Sequence, residues 1–530
     1  MNNVVLIGFM GSGKSTVGRL LAARLGRPFL DLDQEIAAGA GRSVQALFDG
    51  EGEAAFRRRE AECLADALRP DGRVVAVGGG APLTTENWAR IRDGNTVVAL
   101  TAETEELVGR LRTSTDRPLL RADLPAAVAT LLPRRAARYL EADLILPTDG
   151  RSAEAVAGEL ARRLPSEGID RVAVNIPGSM HEVVIGRGLA HLLGPALRRA
   201  GVLGTVVLTT DPVVEAAHAA PIIEALRAAG YSPQVHRLPA GEAAKSMGTL
   251  SGLYDRLAAL GVDRDGALLV LGGGTVGDLS GFAAATWLRG LRYLQVPTTL
   301  LAMVDSSIGG KTAINLDSGK NLVGALHQPV AVFCDLDYLA GLPEEEFRSG
   351  MAEVCKVAII ADPAFARWLH ASAAALRGRQ PAALREAVRR AAAIKASVVA
   401  EDPQETGRRA ILNYGHTVAH ALERALGYGS IRHGEAVAWG MEVAAELSLI
   451  TDRCPPVVLE TQRAMLRAQG LLATRPRVGR YDLLAAMVHD KKSREGVLRW
   501  VLLRDMGDPE WGCQVTPDQL ARALDKVLGV

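Results

Sequence analysis

The chain has 530 residues, 61 of them Lys or Arg and 60 Asp or Glu, and is 48% hydrophobic but only 4% aromatic. At roughly 100–200 residues per domain this length predicts about three domains. A formal net charge of +1 argues against a nucleic-acid or membrane-surface protein, because such partners are steered by a strong field of one sign. The five cysteines (Cys63, Cys334, Cys355, Cys454, Cys513) are scattered without CxxC spacing, as expected of reduced thiols in a cytoplasmic enzyme. No apolar run approaches the roughly 20 residues of a membrane span.

In chain order, strand candidate Val4–Ile7 runs into Gly8-Phe9-Met10-Gly11-Ser12-Gly13-Lys14-Ser15, a complete GxxxxGK[ST] pattern, and then into a helical period over Gly13–Leu25. Glycines let backbone N–H groups turn inward on a phosphate, and the following helix adds its positive end. This predicts a nucleoside triphosphate site at Gly11, Ser12, Gly13, Lys14, Ser15 and Thr16, with Ser15 on Mg²⁺. Asp31 and Asp33 follow Phe29–Leu30; two apart on a strand, they are expected to face one way, one toward Mg²⁺ and one toward an acceptor hydroxyl. Strands are predicted at Val74–Val77, before Gly78-Gly79-Gly80, and at Val97–Leu100; helices at Ala54–Leu68 and Ala153–Leu164. The alternation implies a parallel sheet with helices on both faces.

Residues 1–164 resemble shikimate kinase through IGFMGSGKSTVGRLLA, FLDLDQEI, GEAAFRRRE, VVAVGGGAPL, DRPLL and RRAARY. The resemblance implies that Asp33, Arg57, Gly79 and Arg135 bind shikimate, with Asp33 also the base. It puts Asp31 with Ser15 at Mg²⁺ and Arg117 on a lid over ATP. Ala137 stands where that family usually has Pro.

Pro165-Ser166-Glu167-Gly168 breaks a helical run before strand Val172–Ile176, which marks a linker at 165–169. Strands are predicted at Val183–Ile185, Val206–Thr209, Ala267–Leu271 and Tyr293–Val296. From about Leu342 long Ala-rich helical periods take over, as in Pro381–Ala400 and Glu435–Leu449. The expected organisation is an α/β part at 170–341 and a mainly helical part at 342–530. Gly272-Gly273-Gly274 after a strand, followed by Asp278, suits a dinucleotide pyrophosphate but is not GxGxxG. Lysines among glycines and small polar residues in VDSSIGGKTAINLDSGKNLVG suggest an anion pocket. His416 and His420, four apart, share a helix face and form the obvious metal pair by spacing.

Residues 170–530 resemble 3-dehydroquinate synthase through GGGTVGDLSGFAAATWLRG, QVPTTLLAMVDSSIGGKTAIN, GKNLVGALHQP, GMAEVCK, LNYGHTVAHALE and HGEAVAWGM. The resemblance implies a different metal set, Glu353, His416 and His433, binding Zn²⁺ or Co²⁺, with His420 near the substrate phosphate. It implies NAD contacts at Glu242, Lys245, Gly273, Gly274, Asp278, Thr298, Thr299 and Lys320. Substrate contacts follow at Asp305, Lys311, Asn321, Lys356, Lys395, Arg409 and Asn413, with Lys491 or Lys492 of HDKK and with Arg289 across a homodimer interface. Glu405 matches an acidic proton-acceptor position. Gly341 and Glu345 stand where the family usually has Thr and often Arg, and the first strand, with Met180-His181, lacks the usual Tyr. The implied chemistry converts 3-deoxy-arabino-heptulosonate 7-phosphate to 3-dehydroquinate. The alternatives are a cyclase with another sugar-phosphate substrate, or one half serving only as a regulatory or assembly partner. Neither reading involves nucleic acid or a membrane. The neutral total is expected to conceal two basic pockets, with the balancing acids elsewhere on the surface.

Overall fold

A computed structural model describes residues 3–112, 123–164, 168–427, 429–488 and 498–530. Arg117, Lys491, Lys492 and most of the linker region lie outside the described residues. Contacts group the chain into two compact units. One comprises residues up to Arg171 with Gly186–Leu203 and Pro221–Pro233; the other comprises Val172–Ile185, Gly204–Ala220 and Gln234–Val530.

In the first unit, strands β1 (Val4–Gly8), β2 (Phe29–Asp31), β3 (Val74–Ala76), β4 (Thr96–Thr101) and β5 (Leu144–Pro147) form a parallel sheet of order β2-β3-β1-β4-β5. Its strands are near-continuous apolar runs because both faces are covered. Val5 and Ile7 belong to one buried cluster, Val4 and Leu6 to another. Chain order reverses around β1, so a crevice opens at its carboxyl end. Beyond the sheet, buried Asp143 accepts from the Val97 backbone N–H (2.8 Å) and pairs with Arg171 (2.5 Å).

The second sheet has the order β6-β7-β14-β11-β10-β8-β9, with β6 at Asp170–Ile176, β7 at Ser179–Gly186, β8 at Val206–Thr210, β9 at Gln234–Arg237, β10 at Ala267–Gly272, β11 at Arg292–Pro297 and β14 at Ala331–Asp335. The strands from β14 across to β9 pair in parallel. A hairpin that sequence patterning missed, β12 (Lys311–Leu316) and β13 (Gly319–Leu326), carries the lysine-glycine segment. After residue 342 the helices Glu344–Ala361, Pro381–Glu401, His416–Leu426 and His433–Ile450 share one buried cluster. A second unexpected hairpin, β15 (Trp500–Asp505) and β16 (Asp508–Cys513), packs among them. No helix among the described residues is long and apolar enough to cross a membrane.

Candidate active sites

The first site grows from the carboxyl end of β1. Gly11 (φ +81°) and Gly13 (φ +91°) hold left-handed backbone, and a Cβ on Gly8 would meet the Leu100 carbonyl at 2.3 Å, so this loop requires glycine. Lys14 opens the helix Lys14–Leu25, and its ammonium donates to the carbonyls of Gly8 and Phe9 at 3.0 Å each. The buried Ser12 hydroxyl has no hydrogen-bond partner among the described residues. Ser15 borders the cavity described next, whereas Thr16 is exposed on the helix.

Asp31 ends β2, but Asp33 is not on that strand. The Asp31 carboxylate caps the helix Leu32–Ala40 by accepting from Asp33 N (3.2 Å) and Gln34 N (3.4 Å), so the chain turns helical between the two acids. The first helical turn, not strand periodicity, brings Asp33 against Gly78, where a Cβ would lie 2.8 Å from its carboxylate. Arg57 packs against Gly80, and Arg135 lies beside Gly79 with its guanidinium 5.6 Å from the Phe9 ring centroid. Tyr139 donates to the Gly79 carbonyl at 2.6 Å. Asp31, Asp33, Arg57, Arg135 and the three glycines line a cavity of about 350 Å³.

Sequence reasoning missed Glu60. It is buried, 2.7 Å from Arg57, and shares its surroundings with Asp33 and Arg135. Burial pushes its carboxyl above the usual range against the pull of Arg57. Its signal was the i,i+3 spacing from Arg57.

In the second unit β10 ends in Gly272-Gly273-Gly274, and Gly274 begins the helix Gly274–Thr286. A Cβ on Gly273 would lie 3.2 Å from Thr299, and one on Gly274 would lie 3.0 Å from Ser306, so bare backbone forms a glycine cradle close against these hydroxyl side chains. One turn on, Asp278 takes the buried Lys245 ammonium (2.7 Å), which also donates to Asn321 (2.5 Å). Glu242 accepts from Asn315 (2.8 Å) and Thr275 (3.2 Å). Buried Thr298 donates its N–H to the Gly272 carbonyl (3.0 Å). The glycine cradle and these polar groups suit a dinucleotide. Arg289 is exposed in a left-handed turn (φ +67°).

Beside this cradle, Lys395 donates to the Asp305 carbonyl (2.8 Å) and to its carboxylate. Burial disfavours the Asp305 anion, but Lys395 and Lys356 hold its carboxyl below the usual range. Lys311 pairs with Glu405, which also accepts from Asn413 (2.8 Å). Buried Arg409 donates to the carbonyls of Pro403 (2.7 Å) and Gly309 (3.3 Å).

Glu353, His416 and His433, from three helices, place ligand atoms within 4.8 Å of one another. His416 Nε2 lies 3.5 Å and His433 Nε2 3.7 Å from the same Glu353 oxygen. Glu353 is buried, 2.5 Å from Lys356, yet its oxygens accept no well-aligned hydrogen bond among the described residues. Burial alone would raise its carboxyl, but Lys356 and His433 hold it at about 2. Against burial, Glu353 and Glu423 push His433 up to about 10. Two imidazoles and a carboxylate with unsatisfied lone pairs fit a borderline divalent cation. His420 shares the helix face, its ring centroid 5.5 Å from that of His416, but is not part of this donor group. Glu423, which sequence reasoning missed, lies 3.5 Å from His433 Nδ1; its signal was the i, i+4, i+7 spacing of His416, His420 and Glu423.

Residues 235–349 and 350–493 match the family models described as 3-dehydroquinate synthase N-terminal and C-terminal. The 3-dehydroquinate synthase of Syntrophotalea carbinolica is 44% identical over 340 residues, covering 64% of this chain and 94% of that protein. The chain belongs to the 3-dehydroquinate synthase family. It also carries a shikimate kinase domain, matched over residues 10–165. Among solved structures it is similar to a 2-deoxy-scyllo-inosose synthase complexed with carbaglucose-6-phosphate, NAD⁺ and Co²⁺ (27% identity, TM-score 0.63, 68% of this chain and 100% of that one). It is also similar to a 2-epi-5-epi-valiolone synthase from Streptomyces hygroscopicus with NAD⁺ and Zn²⁺ bound (28%, TM-score 0.60, 66% and 96%). Against the 3-dehydroquinate synthase pattern, Glu345 has a clear local role: it pairs with Arg432 (2.5 Å), the residue before His433. A Cβ at Gly341 would meet nothing within 4 Å.

Proposed function

We propose that the chain catalyses two reactions, ATP- and Mg²⁺-dependent phosphorylation of shikimate and conversion of 3-deoxy-arabino-heptulosonate 7-phosphate to 3-dehydroquinate with phosphate release. The observation that carries the reading is the cluster of Glu353, His416 and His433 beside Lys356 and Lys395, in a family of dehydroquinate synthases, on a chain that begins with a P-loop. The kinase occupies 1–164; 165–169 link it to the synthase parts at 170–341 and 342–530.

In the kinase, Lys14 and the loop N–H groups hold the nucleotide phosphates, while Ser15 and Asp31 hold Mg²⁺. Arg57 and Arg135 grip the shikimate carboxylate, with Gly79 giving the ring close backbone approach. Asp33 accepts the proton of the attacking hydroxyl. In the synthase, Gly273, Gly274, Asp278, Lys245, Glu242, Thr298, Thr299 and Lys320 hold NAD, and Glu353, His416 and His433 hold one zinc or cobalt ion. When bound, these groups supply reversible hydride transfer and polarisation of the reacting oxygens. Lys356, Lys395, Arg409, Lys311, Asn321 and Asn413 fix the substrate's carboxylate and phosphate, His420 lies toward the phosphate, and Asp305 orients Lys395. Glu405 takes a proton from substrate. The synthase part forms a homodimer in which Arg289 reaches the partner's site, and the enzyme works in the cytoplasm. The two steps are not consecutive, so the fusion does not imply direct transfer of an intermediate; a fixed expression ratio or mutual stabilisation is the simpler explanation.

A second reading, a cyclase for another sugar phosphate, draws on the two solved cyclases, but the higher identity to dehydroquinate synthases favours 3-deoxy-arabino-heptulosonate 7-phosphate. Assays of both half-reactions on the purified chain, Lys14→Ala and His416→Ala test the proposal. Each substitution is expected to abolish only its own activity. A wild-type chain inactive in either assay would assign that half a regulatory or assembly role.

A further inference from the structure

We propose that Glu423 couples the metal site to the dinucleotide site, holding His433 with one carboxylate oxygen and Lys320 with the other. The inference rests on the metal and NAD assignments above and adds a linkage between them. Glu423 lies on the same face of the helix His416–Leu426 as His416 and is only 8% exposed, so its charge needs partners. One oxygen lies 3.5 Å from His433 Nδ1 and the other 3.7 Å from the Lys320 ammonium. The opposite ring nitrogen of His433 faces Glu353 at 3.7 Å. His433 is therefore flanked by a metal-ligand carboxylate and an orienting carboxylate, the arrangement that sets the tautomer and ring direction of metal-bound histidines.

Lys320 carries the link onward. It sits on β13 next to Asn321, whose side chain takes Lys245, the partner of Asp278 beside the glycine cradle. Asn321 is left-handed (φ +55°), and its N–H donates to Asn315 (2.9 Å), which in turn donates to Glu242. Thus the hairpin touches the metal helices through residue 320 and the dinucleotide groups through residue 321. A cation on His433 strengthens its Nδ1–H as a donor and fixes Glu423, which orders Lys320 before a dinucleotide arrives. Linkage makes the effect reciprocal.

The test uses the full-length chain stripped of metal, as wild type, Glu423→Gln and Lys320→Met, each checked for an unchanged circular dichroism spectrum. Zn²⁺ affinity is measured against a chromophoric chelator with and without NAD, and NAD affinity by calorimetry with and without Zn²⁺. In wild type each ligand is expected to tighten the other by the same factor, about five-fold or more. Glu423→Gln is expected to weaken Zn²⁺ about ten-fold or more and to abolish the mutual effect. Lys320→Met, which also removes an NAD contact, is expected to weaken NAD in the absence of Zn²⁺ and to lose the mutual effect; a mutual effect that survives in it overturns the coupling. Wild type that binds both ligands independently, or a mutual effect that survives in Glu423→Gln, overturns the coupling alone. Wild type that binds neither ligand overturns the functional reading as well.

Discussion

Replacing His181 with Met should remove a pH dependence of stability that a single buried imidazole imposes. His181 alternates with exposed Met180 on β7, sharing a face with buried Val183 and Ile185, and is 3% exposed. Neither ring nitrogen has a hydrogen-bond partner among the described residues. Burial therefore lowers its pKa from 6.5 to about 4. The native chain keeps this ring neutral while the unfolded chain takes up a proton below pH 6.5, so stability is intact above that pH and falls until about pH 4. At about 1.4 kcal/mol per pH unit, the loss is about 2 kcal/mol at pH 5 and about 3 kcal/mol at pH 4. Urea unfolding followed by tryptophan fluorescence from pH 7 to pH 4 reads this directly. His181→Met should gain stability over wild type by those amounts as pH falls. A difference that stays flat across the range would refute the reasoning, because it would mean the native imidazole is protonated or hydrated.

Tyr139→Phe leaves the Gly79 carbonyl without its 2.6 Å donor; thermal unfolding should show a loss of about 1–3 kcal/mol, and the KM for shikimate should rise while that for ATP holds. Gly440→Ala drives a Cβ to 1.9 Å from the Gly415 carbonyl, next to His416; a loss of about 1–3 kcal/mol and weaker Zn²⁺ binding in chelator competition should follow. Zn²⁺ at about one hundred times its Kd should stabilise the metal-free chain by about 2.7 kcal/mol in unfolding experiments, and His433→Ala should abolish that gain.

The parallel sheets were legible because strands covered on both faces are written as apolar runs, and the P-loop because its glycines answer a backbone demand at fixed spacing. Asp33 was misplaced because a carboxylate cap converted strand to helix within two residues, a choice that strand periodicity does not carry. The β12–β13 hairpin was hidden by its own chemistry, since strands that break their apolar residues with Lys, Asn and, in β13, Gly read as loop. Spacing pointed to His416 with His420, whereas Glu353 comes from a helix far earlier in the chain and can be found only through the fold or a family resemblance. Glu60 and Glu423 were missed for a simpler reason: helical spacing set them beside Arg57 and His416, but an acid carries no mark of burial until its neighbours are in place.

The charges of the synthase cleft were expected as a basic pocket balanced elsewhere on the surface, but the balance is internal. Lys245, Lys311, Lys356 and Lys395 face Asp278, Glu405, Glu353 and Asp305. On the proposed reading, an arriving anion competes with carboxylates that already hold Lys311 and Lys356, so binding is an exchange of partners. A lone phosphate gains little from such an exchange. On the same reading, a molecule that presents a carboxylate, a phosphate and several hydroxyls in one rigid frame can replace more than one internal acid at once, so the site favours that frame over a lone negative charge.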